Sequence, residues 1–233
     1  MADRPFREGI QAAIPVVLGY LPVGLAFGVL ARKTGLSPLE AGLMSLLVYA
    51  GSSQFIAVEM ISKGTMWLPV VITTFFVNLR HFLMSSTLFH FLNRQPLRTL
   101  LLLSAQLTDE SFAIATSNRE KVENRPGYLL GLQMTSQVAW ITGSLAGAFF
   151  GGLIDPEGYG LPFAFPGLFI CLLVLQLRSR FHVALMVVAG VLSLLFKGLL
   201  PGNWTIIMTA LLTSAIGVLM KRLKPQEGSV RNP

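Results

Sequence analysis

A run of polar residues, Asn78-Leu79-Arg80-His81, interrupts an otherwise apolar stretch of the chain. If that stretch crosses a membrane, an arginine at its centre costs at least about 2.5 kcal/mol and requires a compensating partner. A guanidinium can bind a carboxylate through two parallel hydrogen bonds. We therefore predict that Asn78, Arg80 and His81 bind a substrate, with Arg80 holding its carboxylate. The alternative is that Arg80 pairs permanently with an acidic residue of the protein and has a purely structural role.

A second polar cluster, Thr108-Asp109-Glu110-Ser111, contains two adjacent acids. Adjacent residues on a helix point in different directions, so one acid can face other helices while the other faces water. A carboxylate withdrawn from water can bind and release protons near neutral pH. Asp109 and Glu110 are therefore candidates for proton coupling, and one of them is a candidate partner of Arg80. The alternative is an exposed turn.

A third cluster, Gly51-Ser52-Ser53-Gln54, offers hydrogen bonds without charge, and its glycine permits close approach of a ligand to the backbone. Ser52, Ser53 and Gln54 are predicted to bind the polar groups of a substrate. The alternative is helix packing through small residues. The cluster also fits a loose Gly-x-Ser pattern, which would suggest an intramembrane serine hydrolase, but such a nucleophile needs a base within hydrogen-bonding distance.

The first apolar segment carries Pro15, Gly19, Pro22 and Gly24. Each proline removes a backbone donor, and a helix broken inside a membrane exposes amides and carbonyls that can bind ions or substrate. These four residues are predicted to form a hinge or broken helix. The alternative is a simple kink satisfied by neighbouring helices.

The sequence shows neither a Walker A motif nor a set of His, Cys and Asp with metal-ligand spacing. We therefore expect no enzymatic activity, no metal and no cofactor. Transport energy would come from an ion or proton gradient.

The composition identifies the elements that must position these residues. Hydrophobic residues make up 53% of the 233 residues and charged residues 12%, about half the usual share in soluble domains. Mean hydropathy is +0.64. A chain this apolar is predicted to place its surface against a lipid bilayer. Its net charge of +7 arises from short connectors between apolar segments, which indicates membrane orientation and not nucleic-acid binding.

We predict an all-α, polytopic membrane helix bundle that forms one domain over residues 1–233. About seven spanning helices are expected, within a range of six to eight, at 10–31, 38–62, 65–92, 128–153, 160–177, 182–199 and 203–221. The intervening segment 96–118 mixes apolar and polar stretches. It is either an amphipathic interfacial helix, a re-entrant segment or an eighth span.

Charged connectors predict the orientation. A loop with Asp155 and Glu157 lacks basic residues and is placed outside, whereas the connector 119–125 and the C-terminal tail are placed inside. The favoured arrangement has the N-terminus outside. If 96–118 spans the membrane, the N-terminus is inside.

Glycines suggest an internal repeat. Gly24 and Gly28 resemble Gly143, Gly147 and Gly151, and each set is followed by a turn and another helix. Inverted repeat units at 10–92 and 128–199 would be typical of a transporter. Glycines spaced by four residues are also common in ordinary helix packing.

The motifs together resemble the AzlC-like family, the large subunit of branched-chain amino acid exporters linked to azaleucine resistance. The resemblance rests on ordered segments along the whole chain: Pro22–Gly28, Tyr49–Phe55, Asn78–His81, Leu107–Phe112 and Leu161–Pro166.

The resemblance implies a permease of the bacterial inner membrane that exports leucine, isoleucine, valine and in some members methionine. It also implies a small AzlD-like membrane subunit as partner. Transport would be secondary and active, with protons as the expected coupling ion, and the C-terminus would be cytoplasmic. A non-transporting scaffold subunit is the alternative.

Overall fold

A computed structural model describes residues 3–92, 95–123, 125–151, 179–199 and 204–223, with isolated positions between 153 and 177. The regular elements of these ranges are α-helices: α1 (Asp3–Lys33), α2 (Pro38–Leu47), α3 (Gly51–Ser62), α4 (Trp67–Leu92), α5 (Leu97–Ala105), α6 (Asp109–Ser117), α7 (Arg119–Glu123), α8 (Pro126–Phe150), α9 (Arg180–Leu199) and α10 (Trp204–Leu223). Three of them, α1, α4 and α9, are long and apolar enough to cross a membrane. The predicted all-α membrane bundle is confirmed.

The chain divides into two compact units, Met1–Leu168 and Phe169–Pro233. In the second unit α9 packs on α10, where Gly217 lies against Leu185. The predicted helix 160–177 and the loop with Asp155 and Glu157 lie largely outside the described residues. All the candidate site residues belong to the first unit, which is described below.

Glycines bring α1 and α8 into direct backbone contact. Gly9 lies against Tyr128 at the start of α8, and Gly28 lies against Ser144 near its end. The two helices therefore run in the same direction. Equivalent helices of an inverted repeat would run in opposite directions, so the similar glycine spacing reflects this contact. The units 10–92 and 128–199 stay a prediction that these glycines do not support.

The predicted span 38–62 is wrong as a single helix, because it is divided at Val48-Tyr49-Ala50 into α2 and α3. The Gln54 side chain donates to Ser45 Oγ at 3.1 Å. Residues nine positions apart in one helix would lie about 13 Å from each other along its axis. The chain therefore turns back, and Tyr49 adopts a φ of 41° at this turn. We call α2, the turn and α3 the first hairpin.

The connection between α3 and α4 is a tight turn with Gly64 at a φ of +69°. Ser53 bonds Asn78, and Ser52 bonds Arg80, so α3 and α4 are antiparallel. The second half of α4 reaches Leu88 and Leu92, which pack with Tyr128 near the start of α8. Helix α4 is therefore antiparallel to α8.

Segment 96–118 folds as a helical hairpin, the shape that the re-entrant alternative among the three requires, and its placement in a membrane stays a prediction. Gln133 donates to the Leu103 carbonyl at 2.9 Å, and Gln106 donates to Gln137 at 2.8 Å, so α5 runs alongside α8 in the same direction. The chain then turns at 106–108, and α6 returns towards α7, whose Lys121 lies 5.9 Å from the ring centre of Tyr128. We call α5, the turn and α6 the second hairpin.

The two hairpins enter from opposite ends of the unit. Each hairpin follows a long helix in the chain: the first hairpin follows α1, and the second follows α4. Because α1 and α4 run in opposite directions, the two helix–hairpin units have opposite orientations. The hairpin tips, at 48–50 and 106–108, both lie beside the central part of α8 around Gln137 and Trp140.

The favoured orientation of the N-terminus needs correction. Glu8 lies 3.6 Å from Arg125, so the N-terminus and the connector 119–125 share one end of the unit. The N-terminus and this connector therefore cannot lie on opposite sides of a membrane, as the favoured arrangement required. The error arose because the first hairpin was counted as a complete crossing.

Two apolar clusters hold the unit together. One surrounds Phe27 and Trp140 and joins α1, the first hairpin and α8. The other surrounds Leu103 and Leu129 and joins α1, α4, the second hairpin and α8. Val17 of α1 and Ile114 of α6 pack against both clusters and join them.

Candidate functional site

The site lies midway along α4, between the two hairpin tips. Arg80 is about 20 Å along the helix from Trp67 and about 18 Å from Leu92. A helix of this length spans the hydrocarbon core of a bilayer, about 30 Å thick, so Arg80 is placed near the midplane. At this depth a charge needs a partner.

Arg80 has that partner in Asp109. The guanidinium Nη1 lies 2.6 Å from Asp109 Oδ2, and the two side chains are 28% and 26% exposed in the isolated chain. The ion pair joins α4 to the first residue of α6. Replacing an ion pair that is largely withdrawn from water by apolar residues is often neutral or stabilising, so stability alone does not account for it.

Both hairpin tips present the N-terminus of a helix to this pair. Helix α6 begins at Asp109 because Thr108 caps it: Thr108 N–H donates to Ser111 Oγ at 3.0 Å, and Thr108 Oγ1 accepts from Ser111 N–H at 3.4 Å. Helix α3 begins at Gly51 without a side-chain cap. A helix N-terminus carries a partial positive charge, which favours a carboxylate such as that of Asp109.

The first hairpin contributes the predicted serines. Arg80 Nη2 donates to Ser52 Oγ, and Ser53 Oγ donates to Asn78 Oδ1 at 2.5 Å. Both serines are buried. In the described part of the chain neither serine bonds a histidine.

Gln54 belongs to a buried network behind the ion pair. Its side chain donates to Ser45 Oγ at 3.1 Å and accepts from Trp140 Nε1 at 3.0 Å. Ser45 in turn donates to Ser144 at 2.7 Å. This network fixes α2, α3 and α8 relative to each other, which assigns Gln54 a positioning role in this conformation.

Glu110 faces a different neighbour from Asp109. The Tyr20 hydroxyl donates to Glu110 Oε2 at 2.5 Å and lies 2.9 Å from Thr108 Oγ1. The Tyr20 ring packs edge-on against Trp140, with centroids 5.3 Å apart. The two adjacent acids thus connect α6 to different helices, as expected from their angular separation.

His81 is half-buried beside Arg80 on α4 and, among the described residues, forms no hydrogen bond. Its role in substrate binding stays a prediction. A groove of 280 Å³ between α4 and α5 begins at the next residue along α4. It is lined by Phe82, Ser85, Ser86, Leu88, Phe89, His90, Leu92, Leu100 and Ser104.

The predicted hinge residues lie in an unbroken helix. Helix α1 continues through Pro15 and Pro22, and the breaks in the chain occur in the two hairpins. Gly24 packs against α8, where an added Cβ would lie 3.0 Å from the Trp140 carbonyl oxygen. Gly19 has free space around it. Whether these residues flex during function stays a prediction.

Sequence reasoning missed Tyr20, which bonds Glu110, and Tyr49, which is buried at the tip of the first hairpin. Tyrosine is enriched at membrane interfaces, where its hydroxyl reaches water. Tyr20 stands instead near the middle of a charge-free run from 9 to 31. A tyrosine this far from either end of an apolar segment indicates that its hydroxyl bonds a partner inside the protein. No such signal distinguishes Tyr49.

The fold and the site define a polytopic, helical membrane protein with a polar centre between two hairpin tips. The chain belongs to the AzlC family, since the model described as AzlC protein matches residues 15–154. That range contains every residue of the site described above.

Similar proteins occur in distant organisms. An uncharacterized membrane protein of Archaeoglobus fulgidus is 37% identical over 82% of this chain and 84% of its own length. The inner membrane protein YgaZ of Escherichia coli is 34% identical over 75% of this chain and 74% of its own length. The branched-chain amino acid transport protein AzlC of Bacillus subtilis is 27% identical over 95% of this chain and 87% of its own length. No solved structure has significant similarity.

Proposed function

We propose that this chain is the large subunit of an exporter for branched-chain amino acids: leucine, isoleucine and valine, with methionine as a further substrate. The observation that carries the proposal is the Arg80–Asp109 ion pair between the hairpin tips. An α-amino acid is a zwitterion, so it brings one carboxylate and one ammonium. It can exchange partners with the ion pair and leave no charge unpaired.

The neighbouring groups suit such a substrate. Arg80 would hold the carboxylate, and Ser52, Ser53 and Asn78 would supply neutral hydrogen bonds to the site. Gln54, whose amide is bonded by Ser45 and Trp140, would position the helices behind them. The helix N-terminus of α3 adds partial positive charge near the carboxylate. The apolar faces of the helices would receive the aliphatic side chain. The name of the Bacillus subtilis relative supports this substrate class.

The mechanism would be secondary active transport coupled to protons. Asp109 and Glu110 are the acidic residues at the site, and either could carry the coupling proton. Alternating access would come from movement of α1 and the first hairpin against α4 and the second hairpin. Their reversed orientations resemble the inverted units of known transporter folds.

A small AzlD-like subunit is the proposed partner, as the family resemblance implies. The proposed location is the bacterial cytoplasmic membrane, in agreement with the name of the Escherichia coli relative. Basic residues favour a cytoplasmic location for the end of the unit that carries Arg98 and Arg119, together with the N-terminus. The C-terminus is also proposed to be cytoplasmic.

Efflux of preloaded radiolabelled leucine or valine from cells tests the proposal. Cells would express the chain with and without the small subunit. We expect efflux to require the partner and to fall at least about tenfold in Arg80→Ala and Asp109→Asn, because each removes a charge-assisted hydrogen bond worth about 1.5–3 kcal/mol.

Lys63→Ala is the matched control, because Lys63 pairs with Glu59 at 2.7 Å on an exposed helix end. It removes one ion pair without touching the site and should leave efflux unchanged. If the wild-type chain with its partner exports neither amino acid, the substrate proposal fails. If both site variants export normally, the non-transporting scaffold alternative is favoured.

A further inference from the structure

The two adjacent acids of α6 have different surroundings. Asp109 is paired with the full positive charge of Arg80 at 2.6 Å. Glu110 is bonded by the neutral hydroxyl of Tyr20 at 2.5 Å. From this difference we infer that Asp109 exchanges Arg80 for the ammonium group of the substrate, whereas Glu110 carries the coupling proton. The inference rests on the proposed function and assigns the two roles that the function leaves open.

Asp109 is held in an ion pair in the resting site. Loss of the negative charge of Asp109 would leave the Arg80 guanidinium without its ion-pair partner. A substrate removes this difficulty without protonation. Its carboxylate replaces Asp109 at Arg80, and its ammonium replaces Arg80 at Asp109, so both charges stay compensated throughout.

Glu110 can change its charge without breaking an ion pair. When it is ionised, it accepts the hydrogen bond from Tyr20. When it is protonated, the hydroxyl rotor of Tyr20 can turn, so that Tyr20 accepts the new O–H of Glu110. Thr108 Oγ1, 2.9 Å from the same hydroxyl, can bond Tyr20 in both states.

The other ionisable groups around Glu110 are consistent with this role. Tyr20 faces it from α1, Tyr49 from the first hairpin, Asp109 from its own helix and Arg80 from α4. Helix α8 contributes Trp140, which cannot titrate, against the Tyr20 ring. Arg80 is the cation of this set, and it is engaged by Asp109.

The proton balance of the cycle is simple. One proton binds Glu110 from outside and leaves to the cytoplasm, while one zwitterionic amino acid leaves the cell. No covalent bond of the substrate is made or broken. One positive charge therefore enters per molecule exported.

Two assays on the same proteoliposomes separate the two acids. The chain would be reconstituted together with the small subunit. Valine–valine exchange at equal pH measures binding and movement of the site, whereas valine flux driven by an imposed pH gradient measures coupling. Asp109→Asn should raise the KM for valine in exchange about 10–100-fold, the loss expected for one charge-assisted hydrogen bond.

Glu110→Gln should retain exchange and lose the response to the pH gradient, because an amide cannot accept the proton. Tyr20→Phe keeps the carboxylate and should shift the pH profile of gradient-driven flux while exchange persists, as expected for a positioning residue. If Glu110→Gln does not reach the membrane, the shifted pH profile of Tyr20→Phe tests whether Glu110 carries the proton, and an unchanged profile would contradict it.

The possible outcomes distinguish the inference from the proposed function. If wild-type protein exchanges no branched-chain amino acid, the proposed function fails. If wild type exchanges valine but Glu110→Gln still responds to the pH gradient, the inference is overturned and the function stands. Reversed roles, with coupling lost in Asp109→Asn and binding lost in Glu110→Gln, would also overturn it.

Discussion

At the scale of single residues, we expect the polar network behind the ion pair to contribute to stability. Trp140 is 2% exposed and donates to Gln54. Trp140→Phe removes this donor and leaves the Gln54 oxygen without its partner. Interhelical hydrogen bonds in membrane proteins average about 0.6 kcal/mol and reach about 1.7 kcal/mol. We expect a loss of about 1 kcal/mol in the free energy of unfolding in detergent.

Trp67→Phe is the control for this substitution. Trp67 is 71% exposed at the start of α4, so the same chemical change there should leave the unfolding free energy within about 0.5 kcal/mol of wild type. Equal effects of the two substitutions would show that the Trp140–Gln54 bond does not stabilise the protein.

Sequence reasoning predicted which single residues would come together, whereas their roles in transport stay a prediction. Arg80, Asp109 and Ser52 were recognised because charge and hydrogen-bonding capacity are costly in an apolar segment. The structure brings all three together. Which of the two acids pairs with Arg80 could not be predicted, because that depends on the rotation of α6 about its axis.

At the scale of elements, the contact between α1 and α8 depends on the absence of side chains. An added Cβ on Gly28 would overlap the backbone oxygen of Ser144, which cannot move aside independently. We expect Gly28→Ala to lower the free energy of unfolding by about 1–3 kcal/mol, the usual cost of overpacking. Thermal unfolding of the purified protein in detergent would measure the change.

Gly19→Ala provides the comparison within the same helix. An added Cβ on Gly19 meets nothing within 4 Å, and alanine favours helix over glycine by up to about 1 kcal/mol. Unfolding should therefore be unchanged or shifted to higher temperature. A similar loss at both positions would contradict the close backbone packing of α1 on α8.

The hairpins show why elements were harder to predict than residues. Segment 38–62 is apolar enough for one spanning helix, and its turn falls at Val48-Tyr49-Ala50, which contains neither glycine nor proline. Only Gly51 follows directly. The turn is imposed by packing between helices distant in sequence, such as the Gln137 donor that bonds the Leu46 carbonyl at 3.1 Å. A contact between residues this far apart in sequence cannot be predicted from a hydropathy pattern.

At the scale of the whole first unit, the hairpins determine which connectors share a side of the membrane. Lys33 and Lys63 flank the first hairpin, and Arg98 and Glu120 lie at the two ends of the second hairpin. Single cysteines can be placed at these positions in a Cys171→Ser background and labelled with a membrane-impermeant maleimide. We expect the two cysteines that flank one hairpin to be labelled from the same side of the membrane. A re-entrant segment returns to the side from which it entered, so each pair should share a side.

The pattern of labelling distinguishes the hairpins from continuous spans. In intact cells, Lys33→Cys and Lys63→Cys should react, because the basic residues near Arg98 and Glu120 favour a cytoplasmic location for the other end. Arg98→Cys and Glu120→Cys should react only after the membrane is opened. Labelling of Lys33→Cys and Lys63→Cys from opposite sides would restore 38–62 as one complete span. The serines and the ion pair would then have to meet without a tip at the midplane, and the transport mechanism proposed above would lose its structural basis.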